Sequence, residues 1–337
     1  MNLGIGVLLA ILAAVINGNF ALPLKRARKW SWENSWGVYS VVAFLILPFA
    51  LAFFTNPALA KTIHTVSRTD LLVPLLFGAG WGISQVLLGI SVSRVGIALT
   101  FAIVVGLSAT FGTLVPLIGL HREFLVSRKG AVVLLGLVIM VGGISLCAKA
   151  GKERERIEMS SAAHAPSASY SYGPALAITI AAGILTPMLN YALAFGEPIL
   201  KRAAALGATP ANATYSVWLI ALLGGMPVNL LYCAYLLNRN HSWAAFAERS
   251  YDWVYAILMG IMWMGSIALY GIATTYLGPS GAAIGWGLFS IFVILAANVS
   301  GLITGEWRDV GRRPVRTLSS GLALLTVASM LIAWGNR

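Results

Sequence analysis

Acidic residues are scarce in this chain: Asp and Glu number 11 against 23 Lys and Arg. None of the acids lies at the centre of a hydrophobic run. All charged residues together make up only 10% of 337 positions, whereas a water-soluble domain carries about 25%. With 58% hydrophobic residues and a mean hydropathy of +0.83, the chain cannot cover itself with polar surface. Lipid must be the solvent for most of it. Cysteine is nearly absent. Cys147 and Cys233 fall in separate apolar runs, which excludes a disulfide framework and gives no metal-ligand spacing. Strict alternation of polar and apolar residues is missing, which argues against a membrane β-barrel. Signatures of chemistry are missing as well: there is no G-x-x-x-x-G-K-S/T phosphate loop, no H-E-x-x-H and no G-x-S-x-G. The histidines (His64, His121, His164, His241) lie in loops or at run ends and do not cluster. Neither an enzyme nor a nucleotide-driven pump is expected, and no cofactor or metal.

What the chain does have is apolar runs long enough to cross hydrocarbon, about 20 residues each. They fall at 3–24, 34–55, 71–93, 96–120, 131–149, 174–195, 212–237, 252–273, 279–304 and 317–335. Backbone groups in lipid must bond within their own segment, so each run is expected to be a helix. The first run has no preceding basic residue and no small-x-small site before Lys25, so it reads as a retained span rather than a signal peptide.

The excess of cations could suggest nucleic acid, but its distribution points to a membrane. Odd-numbered loops hold most of the Lys and Arg: Lys25 to Lys29, Arg94, Lys149 to Arg156, Arg239 and Arg249, and Arg308 to Arg316. Such an excess marks the cytoplasmic side. Both termini are then expected outside. The cluster KRARKWSWE at 25–33 becomes the first cytoplasmic loop, with Trp30 and Trp32 at headgroup depth.

The longest polar stretch, residues 151–173, divides the spans five and five and reads as a linker between repeats at 1–150 and 174–337. With an odd number of spans in each half, the second half enters the membrane in the opposite sense, a hallmark of secondary transporters. Internal similarity supports a duplication. Gly78, Trp81, Gly89, Ile90 and Gly96 in the third span recur at one constant offset as Gly260, Trp263, Gly271, Ile272 and Gly278 in the eighth. Asn19-Phe-Ala-Leu in the first span is echoed by Asn190-Tyr-Ala-Leu in the sixth.

Polarity inside the spans is uncharged. Asn17, Trp81, Gln85, Asn190, Trp263, Tyr270 and Trp286 are expected to line a cavity of amides, hydroxyls and indoles. Amides bond sugar hydroxyls and aromatic faces cover the apolar side of a ring, so a small neutral sugar is the expected substrate. A fixed cation would call for buried acids and a strong anion for buried bases, and the spans have neither. Proton coupling needs a titratable group. Glu33, opening the second span, is the first choice, and Glu197, four residues before Lys201, the second.

Four stretches carry a family resemblance: KRARKWSWENSWGVYSVVAFLILPF at 25–49, GEWRDVGRRPVRTLSSG at 305–321, GAGWGI around Trp81, and AAALG at 203–207. Together they resemble the L-rhamnose/proton symporter family, a branch of the drug/metabolite transporter superfamily. The resemblance implies an all-α membrane protein of ten transmembrane helices in two inverted-topology five-helix repeats, a bacterial inner-membrane location, and sugar uptake driven by protons. Trp30, Trp32, Glu33, Glu306, Trp307, Arg312, Arg313 and Pro314 match its motifs at the cytoplasmic face. The ninth span, GPSGAAIGWGLFS, has small residues where rhamnose carriers have more polar ones, so a related neutral sugar is also expected to fit. The alternative is a carrier of the same fold for another small metabolite, acting as exporter or facilitator.

Overall fold

The computed structural model describes residues 2–161, 172–308 and 310–336. Among the described residues every regular element is helical. Ten helices are long and apolar enough to cross a membrane: α1 Leu3–Arg26, α2 Trp32–Thr55, α3 Arg68–Val95, α4 Leu99–Leu120, α5 Arg128–Ile157, α6 Gly173–Ala205, α7 Pro210–Arg239, α8 Asp252–Tyr276, α9 Gly281–Ile303 and α10 Arg312–Gly335. Each overlaps one of the ten runs read from the sequence, so the protein is an all-α, ten-span membrane protein. Its outer surface is apolar, with Leu8, Phe54, Leu231 and Ile303 among the most exposed side chains. That arrangement is stable only with lipid tails around it.

Local chemistry explains where helices start and break. The Ser67 hydroxyl accepts from the Asp70 amide at the head of α3. Thr209 caps α7 in the same way, with Pro210 in the first turn, where its missing N–H is not needed. α6 is broken twice, into Tyr172–Leu185, Met188–Ala194 and Glu197–Ala205, at Pro187 and Gly196. α2 carries a π-helical turn at Val42–Ile46, just before Pro48. Proline donates no backbone hydrogen bond, and a π-turn is one way for the ladder to absorb that loss.

One expectation fails in its detail. Residues 151–161, read as linker, are helical and extend α5 as far as Ser161. Lys, Arg and Glu in KERERIE are good helix formers. Ala150 and Ile157 also pack with Trp307, Val310 and Leu318, which anchors the extension. Of the rest of the expected linker, 162–171 lie outside the described residues and 172–173 already begin the next helix.

Helix packing follows a pattern. α3 lies on α7 and α8 on α2; α1 on α8 and α6 on α3; α1 on α9 and α6 on α4; α4 on α5 and α9 on α10. Exchanging each helix for the one five places along turns the first member of each pair of contacts into the second. α2–α7, α4–α9 and α5–α10 map onto themselves. The α3–α7 contact is close because glycines form it. A Cβ on Gly78 would collide with the Ala221 carbonyl, and one on Gly82 with the Gly225 backbone.

Odd-numbered loops meet on one face. The Asp252 carboxylate, at the start of α8, accepts backbone N–H bonds from Arg28, Lys29 and Trp30 in the first loop. Glu306, after α9, binds Lys25 and accepts from Arg154 Nη1 at 3.1 Å. At the other face Arg202 Nε donates to Thr65 Oγ1 and Asn212 Nδ2 to the Thr55 carbonyl.

Candidate functional site

The polar and aromatic side chains singled out from the sequence fall into two groups and two outliers. The first group is centred on Trp81 and Trp263. Their rings stack with centroids 5.3 Å apart and planes inclined by 27°. Phe44, from the π-turn of α2, sets its edge against both, at 5.1 and 5.2 Å. Tyr39 closes the cluster against Phe44 and Trp263. Aromatic pairs in such stacked and edge-on geometries are worth about 0.5–1.5 kcal/mol each beyond the area they bury. One helical turn from Trp263, Ser266 Oγ accepts from Asn17 Nδ2 at 2.9 Å, so a hydroxyl and an amide sit beside the indoles. Gln85 follows Trp81 by one turn and remains partly exposed. Among the described residues its Nε2 donates to the neighbouring Ser84 Oγ, at 3.3 Å.

The second group is built on the central segment of α6. Asn190 is fully buried, and so is Tyr270. The Tyr270 hydroxyl donates to Asn190 Oδ1 at 2.7 Å, while Asn190 Nδ2 donates to the carbonyls of Gly112 and Ala282, both at 3.0 Å. The break at Pro187 is what sets Asn190 against those two carbonyls, from α4 and α9. Trp286 packs on Tyr270 at 5.6 Å and its Nε1 donates to the Ser108 carbonyl at 3.1 Å. Its ring lies where a side chain on Gly112 would stand. This group spends its hydrogen bonds within the protein and ties α4, α6, α8 and α9 together.

The two carboxylates lie apart from both groups. Glu33 is buried, only 4% exposed, at the odd-loop end of α2. Its Oε1 accepts from Asn240 Nδ2 at 3.0 Å and Ser242 Oγ at 2.8 Å, both beyond the end of α7. Next to it Asn34 Nδ2 donates to the Ser242 carbonyl. Glu197 is exposed on the opposite face and pairs with Lys201 Nζ at 2.9 Å.

Several participants had no signal strong enough to find. Phe44 and Tyr39 sit in a run that is mostly apolar, where an aromatic ring does not stand out. Ser266 does share a face with Trp263 and Tyr270 by spacing, and that register could have pointed to it. Asp252 gave no pattern, because it acts on backbone N–H groups more than two hundred residues earlier in the chain. Nor did Ser108, whose partner is an indole on α9.

Comparison with known proteins extends over the whole chain. A family model described as L-rhamnose-proton symport protein (RhaT) matches residues 1–336. The L-rhamnose-proton symporter of Escherichia coli O1:K1 is 27% identical over 339 residues, covering 98% of this chain and 97% of that protein. The L-rhamnose-proton symporter of Escherichia coli O8 (strain IAI1) is 28% identical over the same span, with the same coverage. With the fold and the aromatic centre in place and a match that leaves no domain unaccounted for, the chain belongs to the L-rhamnose-proton symport protein (RhaT) family, a family of transporters and not of enzymes.

Proposed function

We propose that this protein is a secondary active symporter that takes up L-rhamnose, or a closely related neutral sugar, together with protons across a bacterial inner membrane. The observation that carries the reading is the Trp81–Trp263 stack. It joins α3 and α8, the two helices that share the glycine and tryptophan register, at the centre of a chain whose relatives are rhamnose carriers. A deoxy sugar presents an apolar methyl and ring face and a rim of hydroxyls. Separated indoles would take the first; Asn17, Ser266 and Gln85, all within reach of the stack, would take the second. Asn190, Tyr270 and Trp286 line the same bundle interior and would enter the site by exchanging their internal bonds for sugar hydroxyls.

Alternating access would proceed by rocking of two inverted repeats, 1–150 and 174–337. The helix-packing pattern, which repeats on moving five helices along, supports this division. The excess of Lys and Arg on the odd loops supports a cytoplasmic side there, with both termini outside. Glu33 is the proposed proton carrier. It belongs to the first repeat and is held by Asn240 and Ser242 of the second, so separation of the repeats at this face would change its surroundings. Glu197, solvated and paired with Lys201, is the weaker choice.

The test is uptake of labelled L-rhamnose into proteoliposomes. Accumulation under an inward proton gradient, abolished when the gradient is collapsed, is expected. Equal uptake without a gradient would make the protein a facilitator, and failure of rhamnose to compete against other sugars would move the substrate.

A further inference from the structure

On the odd-loop face, a cleft of about 590 Å³ opens between the first loop and the loop before α8. Lys25, Arg26, Arg28, Lys29 and Arg249 line it, with Asp252 as its one carboxylate. That carboxylate is already engaged by the backbone N–H groups of Arg28, Lys29 and Trp30. Lys25 is paired with Glu306, and Lys29 with Glu248 at 3.5 Å. Arg26, Arg28 and Arg249 have no carboxylate partner among the described residues. Three uncompensated guanidinium groups therefore border one cleft.

The depth of the cleft is marked by the aromatic residues beside it. Trp30 packs edge-on against Trp253 at 4.8 Å and Phe246 at 5.3 Å. Tyr251, in the lining of the cleft, is 78% exposed, and Trp243, packed on Phe246, is 50% exposed. Indole and phenol rings at the end of a hydrophobic span lie at the level of lipid headgroups. Cations at that depth attract anionic lipid, and guanidinium binds phosphate oxygens with two parallel hydrogen bonds.

We propose that this cleft is a binding site for the phosphate headgroup of an anionic phospholipid, held by Arg26, Arg28 and Arg249. The site joins the first loop to the segment between α7 and α8. It depends on the membrane-spanning architecture and not on which sugar is carried.

The experiment is native mass spectrometry of the full-length protein in detergent, titrated with phosphatidylglycerol or with phosphatidylcholine of the same acyl chains. Retention of phosphatidylglycerol in preference to phosphatidylcholine is expected, with the preference falling at least about tenfold in R26Q/R28Q/R249Q. The variant R128Q/K129Q, altered at the opposite end of α5, should keep the preference. An equal fall in both variants would reduce the effect to net charge and overturn the site. Displacement of the lipid by millimolar inorganic phosphate would overturn it in favour of a soluble anion. A second readout uses the wild-type chain alone: phosphatidylglycerol should protect Arg26, Arg28 and Arg249, but not Arg202, from an arginine-selective dicarbonyl reagent, and equal labelling with and without the lipid would also overturn it.

Discussion

Trp81 on α3 and Trp263 on α8 lie face to face with their centroids 5.3 Å apart, at the same place in the register that α3 and α8 share. A stack between equivalent residues is what a two-fold relation between the halves would produce on its axis. On the proposed reading, the pair is also a contact that a bound sugar would have to open.

Removing either ring should therefore act on transport and on stability together. Truncating a buried tryptophan to alanine costs about 3–5 kcal/mol, and Trp263 also supports Phe44 and Tyr39. Trp263→Ala is thus expected to lower the melting temperature and to abolish rhamnose uptake. Trp263→Phe keeps most of the packing and an aromatic face, and should raise KM with a near-normal melting temperature. Uptake kinetics and thermal unfolding of the two variants, measured side by side, separate the roles. Normal KM in Trp263→Phe would remove the ring from the sugar path.

The Asn190–Tyr270 bond makes a different prediction. Tyr270→Phe leaves Asn190 Oδ1 without its donor in a fully buried position, which costs about 1–3 kcal/mol. Asn190→Leu removes the amide and takes its donor from the Gly112 carbonyl, while the Ala282 carbonyl can keep the Tyr270 hydroxyl. The double variant should be less destabilised than the sum of the two singles, because the shared bond is lost only once. Thermal unfolding across the cycle checks this. Simple additivity would show that the bond contributes nothing.

How far the sequence carried these conclusions depends on the range of the interaction. The ten spans were legible because lipid demands unbroken apolar runs, and Trp81 and Trp263 because they stand in register. The Glu197–Lys201 pair followed from helical spacing alone. Asn190 was legible because its polarity is visible in the sequence, but its partners were not: two of them are backbone carbonyls on α4 and α9. Residues 151–161 looked like linker because composition there is polar, yet their helix is fixed by Trp307 and Glu306, far along the chain.

Glycines at equivalent register positions are predicted to respond in opposite ways. Gly89 on α3 has open space where a Cβ would stand, whereas one on Gly271 of α8 would press on Trp218 Nε1 and the Thr214 side chain. Gly89→Ala should be neutral or stabilising by up to about 1 kcal/mol, the helix-propensity gain. Gly271→Ala should lower the melting temperature. Equal responses would mean that the two helices are packed alike.

Glu306 sets an acid limit on the odd-loop face. Its hydrogen bond with Lys25 and the bond from Arg154 hold the carboxyl below the usual carboxylate range, against the opposing effect of partial burial. A folded-state pKa that is depressed adds stability above the unfolded carboxylate's pKa, and this is lost as pH falls through the folded value. Glu306→Gln should therefore be less stable than wild type at neutral pH, and the difference should shrink on acidification through that range. Melting temperatures of both proteins across an acid-to-neutral series test the sign. A gap that widened towards acid would contradict it.

Glu33 is the last and most direct test of proton coupling. The carboxylate is buried and takes two hydrogen bonds from groups beyond α7. Opening of this face would expose it to water, and closing would withdraw it again, so on the proposed reading proton binding and helix movement would be linked through one side chain. Glu33→Gln keeps the shape and both oxygen-directed bonds can persist, but the side chain no longer titrates. Exchange of labelled for unlabelled rhamnose needs no net proton movement and should continue. Accumulation driven by a pH gradient should fall to the level set by equilibration. Loss of both activities in a well-folded variant would assign Glu33 to the architecture of the loop, and retention of gradient-driven accumulation would place the coupling group elsewhere.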